Sequence, residues 1–236
     1  MSETFTVGRL SFSLHRSPSR KTLGITIERD GRLTLSAPIN STPAQIERGV
    51  LQKQFWIYTK LAQKQLLFRS VASKEFVPGE SFDYLGRRYR LALVPSDHTL
   101  PALRLHQGEF QLQRCACPEA YSHFVRWYMV HGQPWLQRRV ELFAARLYVN
   151  PTSVAVRDLG YRWGSCSPNG SLNFHWRTVL LPPRIIEYIV VHELVHLHQP
   201  HHNPDFHRRL QRVLSDASER QQWLAENGIH FSLTDV

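Results

Sequence analysis

The sequence predicts an α+β fold: a β-rich first half with one helix, then a helical half that carries a small sheet. Three observations predict it. Apolar and polar residues alternate through KTLGITIERDGRLTLSAP and again from Phe82 to Gln113, apolar residues recur every three or four positions from Glu119, and RIIEYIVV is apolar without glycine or proline. The change of period sets the expected organisation, with residues 1–118 as a β-rich region with one helix and residues 119–236 as a helical domain with a small sheet. With 42% of residues apolar, the chain can bury an ordinary core.

In chain order, Asp30-Gly31 between two alternating runs is a hairpin signal, so Lys21 to Pro38 is read as a two-stranded ribbon. Thr42-Pro43-Ala44-Gln45 then supplies an N-cap, a proline at the first helical position and a capping-box glutamine, which predicts a helix over about 43–68. Phe82 to Val94, with Gly86 in its first turn, and Leu103 to Gln113 return to strand-like alternation. From Glu119, Tyr121, Phe124, Trp127 and Tyr128 are followed by Trp135, Leu136, Val140, Phe143 and Leu147. Gly132 and Pro134 are expected to divide this stretch into two helices. Val154 to Asp158 and Ser171 to Trp176 read as short strands flanking a turn-rich loop over 161–170, and no internal repeat is visible.

Lysine and arginine exceed aspartate and glutamate by 29 to 19, a net charge of +10 that would attract nucleic acid or nucleotides as partners. No lysine block concentrates that charge, so solvated surface is the simpler account. The N-terminal MSETFTVGRLSFSLHRSPSR has no long apolar run and no stretch reaches the roughly 18 apolar residues of a membrane span, so neither export nor insertion is expected. Cysteines number three, and the Cys115-x-Cys117 pair is too close to bridge comfortably; free thiols in a reducing cytoplasm are expected.

The chemistry concentrates in one helix. Pro182-Pro183 opens RIIEYIVVHELVHLHQ, in which His192 and His196 stand four residues apart, so both imidazoles lie on one face and reach one ion at about 2.0–2.1 Å. Glu193 between them completes an H-E-x-x-H arrangement, in which a metal acidifies water and the glutamate takes its proton. A catalytic zinc needs a third protein ligand. Pro200 is expected to stop the helix near Gln199 and let the chain turn back, which makes His202 the choice and His201 its rival. His198 and His207 are expected at the surface or behind the ligands.

These motifs resemble the YgjP-like (DUF45) metal-dependent hydrolase family, relatives of the SprT and WLM zincin-type peptidases. The resemblance rests on KTLGITIERDGRLTLSAP, FDYLGRRYRL, RWGSCSPNGSLNFHWR and VVHELVHLHQPHHNPDF in that order, and spans roughly Lys21 to Leu224. It implies a zincin-like second domain with one zinc per chain on His192, His196 and His202, and catalytic Glu193. The family usually has asparagine where His175 stands, and serine and tryptophan where Asn203 and His207 stand, departures that bear on substrate preference.

The leading function is therefore a zinc metallopeptidase acting on protein or peptide. Two rivals stand beside it. Arg157, Arg162, Arg177 and Arg184 around a metal centre would suit a nucleotide pyrophosphatase of the UTP type. A basic nucleic-acid-binding module with a structural zinc is the other. Trp163, His175, Arg177 and Tyr188 are candidate substrate-binding groups, whereas Ser165 and Cys166 lack an evident base and make a poor nucleophile reading.

Overall fold

Leu10, Phe12 and Leu14 alternate with exposed residues, and Leu33, Leu35 and Ala37 with half-buried ones, so each strand offers one apolar face to a shared core. The structure is a computed structural model that describes residues 3–8, 10–27, 32–53, 57, 73–160 and 162–233. In its first unit, β1 (Glu3–Val7), β2 (Leu10–Ser17), β3 (Gly24–Ile27) and β4 (Leu33–Pro38) form one sheet in the order β1-β2-β4-β3. The β3–β4 pairing, Ile27 opposite Leu33, is the expected ribbon, and it sits at the edge of a larger sheet. Helix α1 (Pro43–Gln52) starts as predicted: Gln45 N–H donates to Thr42 Oγ1 at 3.3 Å and Thr42 N–H to Gln45 Oε1 at 2.9 Å. Its Ile46 and Val50 join the sheet's core together with Ile57. The rest of the expected 43–68 helix lies outside the described residues.

The second compact unit spans residues 71–235. Strands β5 (Ser81–Tyr84), β6 (Arg87–Val94), β7 (Leu103–His106) and β8 (Glu109–Gln113) form a sheet ordered β5-β6-β8-β7. Its apolar face lies on the next helix: the Phe82 and Phe124 rings stack at 4.1 Å and Phe110 meets Trp127 edge-on at 4.8 Å. That shared core is why residues 71–118 fold together with the helical residues after them. Both hairpins turn in two residues with positive φ, Leu85-Gly86 (50° and 73°) and Gln107-Gly108 (50° and 82°), the twist that matches paired strands.

Helix α2 (Ala120–Leu147) is one continuous helix of 28 residues, so Gly132 and Pro134 do not divide it as expected. Gly132 is there for close packing: a Cβ would lie 2.7 Å from Val179 Cγ1. Pro134 removes one intrahelical hydrogen bond, that to the carbonyl of residue 130, at a turn where Val130 is exposed. Strands β9 (Ser153–Arg157), β10 (Gly164–Cys166) and β11 (Ser171–His175) form a small sheet in the order β10-β11-β9, with β10 inside the expected 161–170 loop. The side chain of Gln133 on α2 bonds the main chain of β9, donating to Val154 O (2.8 Å) and accepting from Val156 N–H (2.9 Å).

Helix α3 (Pro183–Val195) packs against α2, β10 and the two following helices, α4 (Pro204–Val213) and α5 (Ala217–Asn227). It ends earlier than Gln199, but turn-type bonds such as His198 N–H to Val195 O (3.0 Å) carry the coil on to that residue. No described helix is long and apolar enough to cross a membrane.

Candidate metal centre

His192 and His196 lie one turn apart at the end of α3, and the chain after Gln199 returns to them. Asn203 caps α4 by accepting from Phe206 N–H at 2.9 Å and donates to Gln199 Oε1 at 3.3 Å, so the link between the helices is tied at both ends. His202 is thereby brought back until its Nε2 stands 2.9 Å from Nε2 of His192. One nitrogen from each of His192, His196 and His202 falls within a 4.8 Å sphere of mutual distances. Two ligands on a tetrahedral zinc would be roughly 3.3 Å apart, given bonds of about 2.0–2.1 Å. His201 is exposed, its carbonyl accepts from Asn203 N–H at 2.8 Å, and it is not one of the three histidines that converge.

The protonation of the cluster suits a cation. His196 Nδ1 must donate to Gln199 O (3.0 Å), because a carbonyl only accepts, which leaves Nε2 with a lone pair. Burial, followed by the neighbouring His196, His202 and His207, pushes the His192 imidazole down to about 3, so it is neutral at ordinary pH. Partial burial, followed by the neighbouring His196, His207 and His201, lowers His202. Among the described residues His192 Nδ1 is buried without a hydrogen-bond partner. Three imidazoles with converging nitrogens are a donor set that fits one divalent cation.

Beneath them lies Phe206, fully buried, whose ring centroid is 4.9, 4.7 and 4.6 Å from those of His192, His196 and His202. Glu193 is 7% exposed and faces β10 rather than the histidines' apolar floor. Burial pushes its carboxyl up to about 7, with Arg162 opposing the shift.

The histidines and Glu193 open into a cleft of about 610 Å³, walled on the other side by Arg162 and residues 164–168. Its floor strand, β10, is an edge strand. His175 N–H donates to Trp163 O (2.9 Å) and Ser167 N–H to Ser171 O (3.0 Å), so residues 163, 165 and 167 bond inward to β11. By the alternation of an antiparallel ladder, the main-chain groups of Gly164 and Cys166 point outward. The β10–β11 turn is held by Ser167, whose Oγ donates to Ser171 O (3.0 Å) and accepts from Ser171 N–H (3.1 Å), and by the Ser167–Asn169 side-chain contact.

Over residues 21–227 the sequence matches the family described as YgjP-like, metallopeptidase domain. The chain belongs to the YgjP-like family. Membership makes it a metal-dependent peptidase in its broad class, and His192, His196 and His202 of this YgjP-like chain form a group that could hold a metal ion. No curated protein matches the sequence. Among solved structures it is similar to the crystal structure of the metallopeptidase zymogen of Pyrococcus abyssi abylysin. The identity is 22% and the TM-score 0.35, over 38% of this chain and 92% of that one.

The structure of the YgjP-like chain brings Glu193, His192, His196 and His202 together and leaves the other four sequence candidates off the cleft wall. His175 is buried, accepts from Arg177 N–H at Nδ1 (3.0 Å) and so directs its Nε2–H to Asp158, 3.3 Å away. Arg177 is buried too, donating to Gly160 O (3.1 Å) with its guanidinium 5.5 Å over the Trp163 ring. These three tie residues 158–163 to the end of β11. Tyr188 stands one turn before His192, buried, its hydroxyl pushed up to about 12 by burial and by Glu193. Of the four arginines suggested for a phosphoanhydride substrate only Arg162 lines the cleft: Arg184 is 3.6 Å from Asp216, Arg157 lies on β9 and Arg177 is held as above. Cys115, Cys117 and Cys166 are unbridged.

Two site residues escaped the sequence reading. Phe206 carried a signal, an apolar residue at the first buried position after the Asn203-Pro204 helix start. Gly164 carried only its place in RWGSC, because what it accommodates is 29 residues away in sequence.

Proposed function

We propose that this chain is a zinc-dependent peptidase whose Glu193 is the general base, with His192, His196 and His202 as ligands of one zinc. The observation that carries the reading is the convergence of three imidazole nitrogens beside a buried carboxyl group at an open strand edge. When bound, the metal supplies Lewis acidity, which polarises a carbonyl oxygen and acidifies water.

The chain's own groups do the rest. Glu193, held near neutrality in its affinity for a proton, takes one from water onto its carboxylate and returns it to the departing amide nitrogen. Gly164 and Cys166 offer outward main-chain donors and acceptors, so an extended peptide can pair with β10 and bring its scissile bond beneath the histidines. The tautomer of His196 is fixed from behind by Gln199 O. Asp158, His175, Arg177 and Trp163 act at one remove, holding the loop that delivers β10. Three free thiols fit a reducing compartment, and we place the chain in the cytoplasm.

The deciding experiment measures metal per chain by elemental analysis and hydrolysis of casein and of UTP, for the wild type, His192→Ala and Glu193→Ala. One zinc in the wild type, lost in His192→Ala but kept in inactive Glu193→Ala, with casein consumed, is the expected result. Consumption of UTP with casein untouched would assign a pyrophosphatase instead. A wild type free of metal would end the proposal.

A further inference from the structure

Strand β10 runs directly against the Glu193 side chain, and the residue at that point is Gly164. A Cβ built there would lie 2.7 Å from Glu193 Oε1, 2.8 Å from its Cγ and 3.0 Å from its Cδ. Those separations are far inside van der Waals contact, so no residue with a side chain can share this space with the carboxylate as it stands. The glycine is not explained by backbone strain: Gly164 is absent from the positive-φ positions of the chain, and it pairs with Phe174 as ordinary antiparallel strand. Its missing side chain is what the fold uses here.

We infer that Gly164 is a positioning residue for the general base, its bare Cα forming the seat on which the Glu193 carboxylate rests. This rests on the reading of Glu193 as the base. The seat has a consequence for chemistry because proton transfer needs the acceptor within hydrogen-bond reach, and a misplacement of about 1 Å in an active site can cost roughly 100-fold. It also ties two halves of the machinery together. The residue under the base is itself one of the two whose main-chain groups face the cleft, so the strand that receives an extended substrate also fixes where the proton acceptor sits. Because the atoms a new Cβ would meet are the far end of a flexible side chain, a methyl group at 164 moves the carboxylate and leaves the strand in place.

Gly164→Ala tests this in two ways. A crystal structure of the variant should show the Glu193 carboxylate displaced by about 1 Å or more, with the β10 main chain unmoved and the bound metal per chain unchanged. Casein hydrolysis should fall about 100-fold in kcat with KM altered less than about threefold, and Gly164→Ala should add nothing in a Glu193→Ala background. A merely structural role would lower the melting temperature and add its loss in both backgrounds. Four results overturn the inference: a carboxylate that stays in place, full activity of Gly164→Ala where Glu193→Ala is dead, additive losses, or loss of the fold. Glu193→Ala as active as the wild type would overturn the base reading and this inference together.

Discussion

Replacing Phe206 with alanine separates the floor of the metal centre from its walls. The ring is fully buried and lies within 4.9 Å, centroid to centroid, of all three cluster histidines, so its removal leaves a void directly beneath them. Truncating a buried phenylalanine costs about 3–5 kcal/mol where the surroundings cannot collapse, and here they are imidazoles fixed by other contacts. For a unit of this size each kcal/mol is worth about 2–4 °C, so the metal-free variant should melt roughly 6–20 °C lower. Groups that orient metal ligands from behind are worth about 10–100-fold in affinity, and that is the loss expected on competition with a chromophoric chelator. Phe206→Leu keeps most of the volume and should lose under about 1.5 kcal/mol. Thermal melts in excess chelator read the packing loss, and the competition assay reads the ligand loss. Unchanged metal affinity in a destabilised Phe206→Ala protein would show that the ring is core alone, and a shift under about 2 °C would refute the packing argument as well.

Three further outcomes are expected. His202→Ala should lose the bound metal and His201→Ala should keep it, since only His202 reaches His192, and elemental analysis of both variants decides. In metal-free protein Glu193→Gln should be more stable than the wild type at pH 7 and equal to it below about 4.5. The reason is that a carboxyl raised to about 7 contributes stability that is lost as pH rises through that window; full expression would be about 3 kcal/mol by denaturant titration. Gly132→Ala should destabilise by about 1–3 kcal/mol despite alanine's better helix propensity, because its methyl would meet Val179 at 2.7 Å; a melting temperature at or above wild type would refute this.

The three-histidine cluster was legible because it is local: His192, Glu193 and His196 sit within five residues of one another, and His202 comes after a proline that turns the chain. The hairpins were legible for the same reason, since alternation and turn residues lie side by side in sequence. The features that were not legible depend on partners distant in the chain. Gly132 and Pro134 look like a helix break until Val179 is seen to fill the space over Gly132. The unit boundary at residue 70 arises from aromatic packing between β5–β8 and α2, which no change of period reports. His175 and Arg177 looked like substrate groups because polar residues near a motif attract that reading, but both are buried with partners in the preceding loop. The repeat of topology also escaped notice: β1-β2-β4-β3 and β5-β6-β8-β7 have the same strand order and the same parallel central pair, with little shared sequence to announce it.

The amide of Gln133 has a wider meaning than two hydrogen bonds. A three-stranded sheet has two borders at which a foreign strand can attach, and a protein that must accept extended chains at one of them has to refuse them at the other. By donating to Val154 and accepting from Val156, one side chain on α2 imitates the peptide group of a fourth strand and closes the border at β9. The border left open is β10, beside the cleft, where the proposed function has an extended substrate pair. A substrate would leave as fragments too short to hold the ladder, whereas a strand captured at an unguarded β9 would have no exit. On the proposed function, Gln133 thus leaves strand pairing to the border beside the cleft.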